Sequence, residues 1–291
     1  MTRVAVVGLG AIGGRIAARL LETGHEVTVW NRTPAKAEPL VAKGATPAGS
    51  PAEAAAGAEG IITCLADPDA LLHVVGGPDG IARGIDDGTL IEMSTVGPEA
   101  IHRLAAELPP GAGLLDAPVL GSLGEAEEGT LLVFVGGPED LVAKWAPSLE
   151  ALGTPIHVGP LGAGASAKLV ANATLVATLT ALGEVVALAD GLGLSRDVTF
   201  GVLASTPLAA QADRRRSALE GGGFPLRFRL ALARKDARLI AEVAEAAGVH
   251  PRLLAAAAEW FEEADGAGLG ERDYSEVLTA IVRTAGPTDG G

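Results

Sequence analysis

One cysteine, Cys64, in 291 residues leaves no partner for an internal disulfide. That excludes a covalently stapled secreted scaffold and fits a reducing, cytoplasmic setting. Aromatic residues are nearly as scarce, 3% of the chain against 48% hydrophobic overall, so a core must be filled by Ala, Leu, Val and Ile, the residues of close-packed helices and buried parallel strands. Basic residues are in deficit too: 22 Lys and Arg against 36 Asp and Glu give a net charge of −14. This opposes nucleic acid as a partner, because neutralising phosphates needs a basic face. No membrane span is expected, since the longest uncharged run of the C-terminal half, 169–183, falls short of the roughly 18–20 residues that cross a bilayer. No export signal is read at the start, where Gly8, Gly10, Gly13, Gly14 and Arg15 interrupt the apolar stretch. Nor does any Cys/His cluster call for a catalytic metal.

What is present argues for two domains, because the chain exceeds the usual single compact unit of about 100–200 residues. Short apolar runs at 4–7, 26–30, 60–64, 90–93, 114–116 and 131–135 read as strands. They alternate with amphipathic segments, the pattern of βαβ units around a parallel sheet. Thr33-Pro34 and Ser50-Pro51 each set a capping hydroxyl before a proline at the first helical position, and Ser50 with Glu53 has the spacing of a capping box. Cys64 closes one of the apolar runs and reads as a buried, inert thiol. Strand signals stop at Gly159-Pro160, which puts the boundary between a domain of residues 1–160 and an all-helical one of 161–291. The stretch 164–190 is apolar nearly all round, so that helix must be covered by its own domain or by a second copy, and a homodimer or homotetramer is expected. Arg214, Arg215, Arg216, Arg227, Arg229, Arg234, Lys235 and Arg238 gather in one region; they read either as a focus for anions or as solvated helix faces. Residues 286–291 read as a disordered tail.

The first strand runs into Gly8-Leu9-Gly10-Ala11-Ile12-Gly13, which opens a helix. In this context the first glycine permits a tight turn, the second admits a pyrophosphate to the backbone, and the third lets helix pack on strand. Amide donors and the positive helix end then face the phosphates of a dinucleotide. The fold class is thus α/β, an N-terminal Rossmann domain with a doubly wound, mostly parallel sheet, followed by helices. After the second strand an NAD site normally carries a carboxylate for the ribose, whereas Trp30-Asn31-Arg32-Thr33 offers a cation and neutral hydrogen-bonding groups. That favours the 2′-phosphate of NADP(H), with Arg32 as the charged ligand and Asn31 and Thr33 as neutral ones. Leu65 and Ala66, at a carboxyl strand end, are placed beside the same dinucleotide.

Near the start of the long apolar helix stands Gly162-Ala163-Gly164-Ala165-Ser166-Ala167-Lys168-Leu169-Val170-Ala171-Asn172. Lys168 and Asn172 are four apart and share a helix face. A lysine and an amide on an apolar helix require a polar cavity, unless the lysine snorkels from a helix end.

Taken together, these segments resemble the β-hydroxyacid dehydrogenase family, which includes 3-hydroxyisobutyrate dehydrogenases and glyoxylate/succinic semialdehyde reductases and is related to imine reductases. The resemblance spans nearly the whole chain. It rests on the glycine turn, on Asp116-Ala117-Pro118-Val119-Leu120-Gly121-Ser122 with Gly129-Thr130-Leu131, on Gly162 to Asn172, and on Phe228 through Lys235-Asp236. It implies an NADP(H)-dependent oxidoreductase whose C-terminal domain, similar to that of 6-phosphogluconate dehydrogenases, completes the active site. By the same resemblance Lys168 is the catalytic acid/base, Asn172 its neighbour, and Thr95 and Lys235 touch the cofactor. Gly121 and Ser122 meet a substrate carboxylate, and Phe228 and Asp236 line the pocket of a small-molecule substrate.

One position departs from the pattern. Leu120 stands where members commonly have serine, so a hydroxyl for a substrate carboxylate is missing. Ser122 stands where many have glycine, although the reductase branch also uses serine. The segment from Gly24-His25 to Asp67 also resembles imine reductases, while Lys168 and Asp116-Ala117-Pro118 favour carbonyl chemistry. A noncatalytic NADP-binding scaffold, a fate of this fold when the lysine is lost, is the remaining alternative.

Overall fold

The computed structural model describes residues 2–284, so the expectation for 286–291 lies outside the described residues. The chain divides into two compact units, Met1–Leu169 and Val170–Gly291. The division falls inside a helix, later than the Gly159-Pro160 break in the sequence pattern.

In the first unit the strands are β1 (Arg3–Val7), β2 (Glu26–Trp30), β3 (Thr46–Pro47), β4 (Gly60–Thr63), β5 (Thr89–Glu92), β6 (Gly113–Asp116), β7 (Val119–Leu120), β8 (Leu131–Gly136) and β9 (Gly153–Gly159). Between them run α1 (Ala11–Glu22), α2 (Glu38–Val41), α3 (Pro51–Ala55), α4 (Pro68–Gly76), α5 (Pro98–Glu107), α6 (Leu123–Glu128) and α7 (Glu139–Glu150). The sheet order β3-β2-β1-β4-β5-β6 is parallel throughout, the doubly wound arrangement whose ligand crevice lies at the carboxyl ends of β1 and β4. β8 joins β6 antiparallel, pairs β7 on one side and runs parallel to β9.

Period-two alternation sends side chains to opposite faces of this sheet. Val4, Val6, Val27, Val29, Ile62, Ile91, Leu115 and Val133 enter one core with Ile16, Leu20 and Trp145. Ala5, Val7, Ile61, Leu90 and Leu114 enter the other with Leu71, Ile101 and Leu104. Both faces are covered, which is why the strands read as continuous apolar runs.

The six expected strands are present, with ends shifted by a residue. β3, β7 and β9 were not legible. The first two are two residues long, and β9 alternates polar and apolar residues around Pro155 with no fully buried position. Ser50 caps α3 as expected, accepting from the Glu53 N–H at 3.1 Å. The reciprocal bond goes elsewhere, since the Glu53 carboxylate takes the Gly49 N–H at 2.7 Å. Thr33 makes no side-chain cap to the short turn 34–36.

α8 (Ala163–Gly191) starts in the first unit and continues into the second. There it is followed by α9 (Arg196–Leu203), α10 (Ala209–Ser217), α11 (Leu230–Ala246), α12 (Arg252–Ala264) and α13 (Glu276–Arg283). By length and composition α8 is apolar enough to cross a membrane. One stripe of it, Val176, Leu179, Leu182 and Val186, instead enters the core of the second unit with Leu230, Phe261, Leu278 and Ile281. Gly183 keeps α8 close to α13, where a Cβ would lie 2.8 Å from the Ile281 Cδ1. Other positions of α8 stay open, with Val170 68% and Leu188 61% exposed.

Candidate active site

In the first unit the turn after β1 has the geometry expected of a phosphate cradle. Gly8 has φ +100°, and a Cβ there would strike the Cys64 carbonyl and the Leu65 side chain. A Cβ on Gly13 would overlap the Gly8 carbonyl. These two glycines are therefore required by the fold itself. Gly10 is not: its φ is −71°, and nothing lies within 4 Å of an added Cβ. It caps α1 without a side-chain hydrogen bond, and no acidic residue sits in the first turn. The leading amides of α1 thus retain both donors and the positive helix end. A dinucleotide pyrophosphate fits this open, small-residue, donor-rich end.

Asn31 links the two halves of the cradle. Its Oδ1 accepts from the Leu9 N–H at 2.9 Å, and its Nδ2 donates to the Thr33 carbonyl at 3.0 Å. Asn31 thereby fixes the loop, in addition to any contact of its own with a nucleotide. Arg32 is exposed and has no ion-pair partner among the described residues. Thr33, freed from capping, is exposed beside it. Lys36, one turn further, is a cation the sequence reading missed; it lines a groove of about 450 Å³ together with Gly10, Ala11, Arg15, Lys43 and Glu127. Its spacing of four from Arg32 was the available signal. Leu65 donates its N–H to the Ser94 hydroxyl at 2.8 Å, which holds the end of β4 against the segment carrying Thr95.

Cys64 lies just past the end of β4 and is half-buried, less enclosed than the buried strand residue expected from the sequence. Burial, and then the Glu92 charge, push its thiol up to about 12, so the thiolate a nucleophile needs is absent at neutral pH. Burial also raises Glu92 to about 7, against the lowering effect of its bonds from Ser94 and Thr63.

The Leu120 loop is on β7 and the turn after it. Leu120 pairs with Leu132 of β8 and is half-buried. Gly121 adopts φ +148°, with Leu131 where a Cβ would go. Ser122 is the N-cap of α6, and both its N–H, at 2.9 Å, and its hydroxyl go to the Glu125 carboxylate. The one hydroxyl of the loop is thus already engaged, and a carboxylate stands beside it.

In the second unit Asn172, Lys235 and Asp236 come together. The Asn172 Nδ2 donates to Asp236 Oδ2 at 2.8 Å, and Lys235 Nζ lies 2.7 Å from Asp236 Oδ1. A carboxylate only accepts, so the amide nitrogen of Asn172 is the end turned to it and the carbonyl oxygen is left as an acceptor. Lys168 stands four residues before Asn172 on α8, half-buried. Phe228 is half-buried and meets Tyr274 edge-on at 5.8 Å. Its loop is anchored by Asp273, which accepts the N–H groups of Arg227 at 2.9 Å and Phe228 at 3.2 Å.

The arginine-rich stretch is not an anion focus by composition alone. Arg216 pairs with Asp197 and Glu220, Arg229 with Glu271, and Arg234 with Glu262 and Asp265. Arg215 is neither paired that way nor solvated. It is 3% exposed, bonded to Gln211 and to the Tyr274 hydroxyl at 3.0 Å, and burial lowers its pKa.

Comparison with known proteins identifies the family of the chain. Residues 3–162 match the NAD binding domain of 6-phosphogluconate dehydrogenase, and residues 162–281 match the NAD-binding domain of NADP-dependent 3-hydroxyisobutyrate dehydrogenase. The chain is 34% identical to the 3-sulfolactaldehyde reductase of Escherichia coli over 99% of its own length and 98% of that protein's. It is 33% identical to glyoxylate/succinic semialdehyde reductase 1 of Arabidopsis thaliana, over 96% and 98% respectively. Among solved structures, the 3-hydroxyisobutyrate dehydrogenase of Mycobacterium tuberculosis with L-serine superposes with a TM-score of 0.85 at 29% identity, covering 97% of this chain and 99% of that one. An imine reductase from Pseudomonas sp. shares the fold, with a TM-score of 0.62 at 24% identity over 96% of this chain and 99% of that one.

Proposed function

Because the chain belongs to the β-hydroxyacid dehydrogenase family, whose nicotinamide-dependent members act on hydroxyl and aldehyde groups, we propose that it is an NADPH-dependent reductase of small aldehydes with Lys168 as its acid/base. The main support is that the two family models together match residues 3–281 while Lys168 and Asn172 stand a turn apart on α8. NADPH, when bound, supplies the hydride. The chain's own residues do the rest. The open first turn of α1 binds the pyrophosphate, and Arg32, Thr33 and Lys36 bind the 2′-phosphate. Thr95 and Lys235 complete the cofactor's contacts. Lys168 holds the proton needed by the carbonyl oxygen as that oxygen gains charge, and the Asn172 carbonyl oxygen accepts from a donor at the same place.

The substrate is small and lacks a strongly bound carboxylate. Leu120 offers no hydroxyl, and the Ser122 N–H and hydroxyl are both engaged by Glu125.

The deciding experiment follows NADPH and NADH consumption with charged and uncharged aldehydes and with a cyclic imine. Lys168→Ala should lower kcat by roughly 10²–10⁴ with NADPH affinity within a few-fold. Near-wild-type turnover in the folded variant removes the role. Arg32→Ala should weaken NADPH about 10–150-fold and leave NADH nearly unchanged. Faster turnover of the cyclic imine than of any aldehyde would favour the imine reductase reading, and no turnover with any carbonyl would favour the scaffold.

A further inference from the structure

The Asp116-Ala117-Pro118 motif has no role in the scheme above, yet Asp116 is among the most constrained residues of the first unit. It ends β6 with 0% exposure. Its Oδ1 accepts from the Gly162 N–H at 2.8 Å and its Oδ2 from the Ala165 N–H at 2.7 Å. α8 begins at Ala163, so the carboxylate meets main-chain donors that a helix start leaves without partners. The approach is close on every side. A Cβ on Gly136 would overlap Asp116 Oδ1, and one on Gly164 would overlap the main-chain carbonyls of Asp116 and Phe134. Gly162 has φ +91°, a backbone open to few residues other than glycine. The small residues before Lys168 are therefore those that allow α8 to start on this carboxylate.

We infer that Asp116 is a positioning residue for the reaction, holding and electrostatically balancing the start of α8, from which Lys168 projects one turn further on. The inference rests on the acid/base reading of Lys168 and deepens it. The positive end of a helix favours the neutral form of a nearby amine, whereas a proton donor has to stay charged. A carboxylate at the helix start offsets that field. The titratable group facing Asp116 across the sheet is Glu92, its register partner on β5; β8 presents Gly136, and the start of α8 presents the main-chain N–H groups of Gly162 and Ala165. Burial raises the pKa of both carboxyls and hydrogen bonds lower both, those on Asp116 coming from the main-chain donors at the start of α8.

The test compares Asp116→Asn and Asp116→Ser with the wild type in aldehyde reduction across pH. Both variants keep a neutral acceptor and remove the charge, and the smaller serine serves if asparagine is poorly tolerated. The alkaline limb of kcat, which reports loss of the proton donor, should move down by about 0.5–1 pH unit. Below that limb kcat should fall roughly tenfold, with KM and NADPH affinity within a few-fold. A residue that only stabilised the fold would lower the melting temperature and leave the limb in place; that result, or a change confined to KM, overturns the inference. Failure of the underlying reading is seen separately, as near-wild-type turnover of Lys168→Ala, and takes this inference with it.

Discussion

At Gly10 the fold asks for nothing, and at Gly13 it asks for everything. A methyl at Gly10 meets open space at an ordinary φ, while one at Gly13 drives into the Gly8 carbonyl. Gly10→Ala should therefore keep its melting temperature yet bind NADPH about tenfold or more weakly, because its methyl occupies the phosphate approach. Gly13→Ala should lose about 1–3 kcal/mol of stability through overpacking. Thermal denaturation alongside cofactor titration separates the two, and unchanged affinity in Gly10→Ala would remove the pyrophosphate from this turn. Leu120 invites a second measurement. Leu120→Ser restores a hydroxyl to the loop, so kcat/KM for succinic semialdehyde should rise about tenfold relative to an uncharged aldehyde of similar length, since a hydrogen bond to a charged group contributes about 1.5–3 kcal/mol. If the ratio stays put or moves towards the uncharged aldehyde, Leu120 does not face the carboxylate.

Among elements, β4, β5 and β6 end on a row of polar residues, Thr63, Glu92 and Asp116, set side by side by the parallel register. Burial raises Glu92 from its usual 4.5 to about 7. Between those values the unfolded chain has released a proton that the folded chain keeps, so stability falls as pH rises through the window and the loss is complete above it. The shift corresponds to about 3 kcal/mol as an upper order of magnitude. Glu92→Gln has the shape of the protonated acid; it should unfold at higher denaturant than wild type at pH 8 and nearly together with it at pH 5. Equal midpoints at both values would show that Glu92 titrates normally. The row was invisible in sequence, because each residue sits at the end of a separate apolar run and only sheet order makes them neighbours. Arg215 illustrates the same limit on α10: three consecutive arginines look alike as text, and only packing against Tyr274 distinguishes the middle one.

At the scale of the whole molecule, large apolar residues remain exposed in the second unit on α8 (Val185, Leu188), just after it (Leu192) and on α9 (Val198, Val202). We propose that a second copy of the chain covers these residues, since clustered large apolar side chains left open to water are the mark of an association surface. Light scattering coupled to gel filtration should give a multiple of the 29.1 kDa chain. Leu188→Asp with Val202→Asp should shift that mass towards one chain while the helical circular dichroism persists. A wild-type protein that runs as a monomer at micromolar concentration sinks the proposal.

The sequence by itself determined what depends on local pattern. Alternating apolar runs and caps specified the sheet strands and the start of α3, and the glycine spacing specified the turn after β1. A nearly uniform apolar helix announced α8. These features follow from steric and hydrophobic preferences that act over a few residues. Tertiary structure alone decided which distant partners the polar residues take. Asn31 turned to Leu9, Asn172 to Asp236 and Asp116 to the first turn of α8. Buried polar groups must be satisfied by whatever donor or acceptor the fold brings within about 3 Å, and that neighbour is often dozens of residues away in the chain.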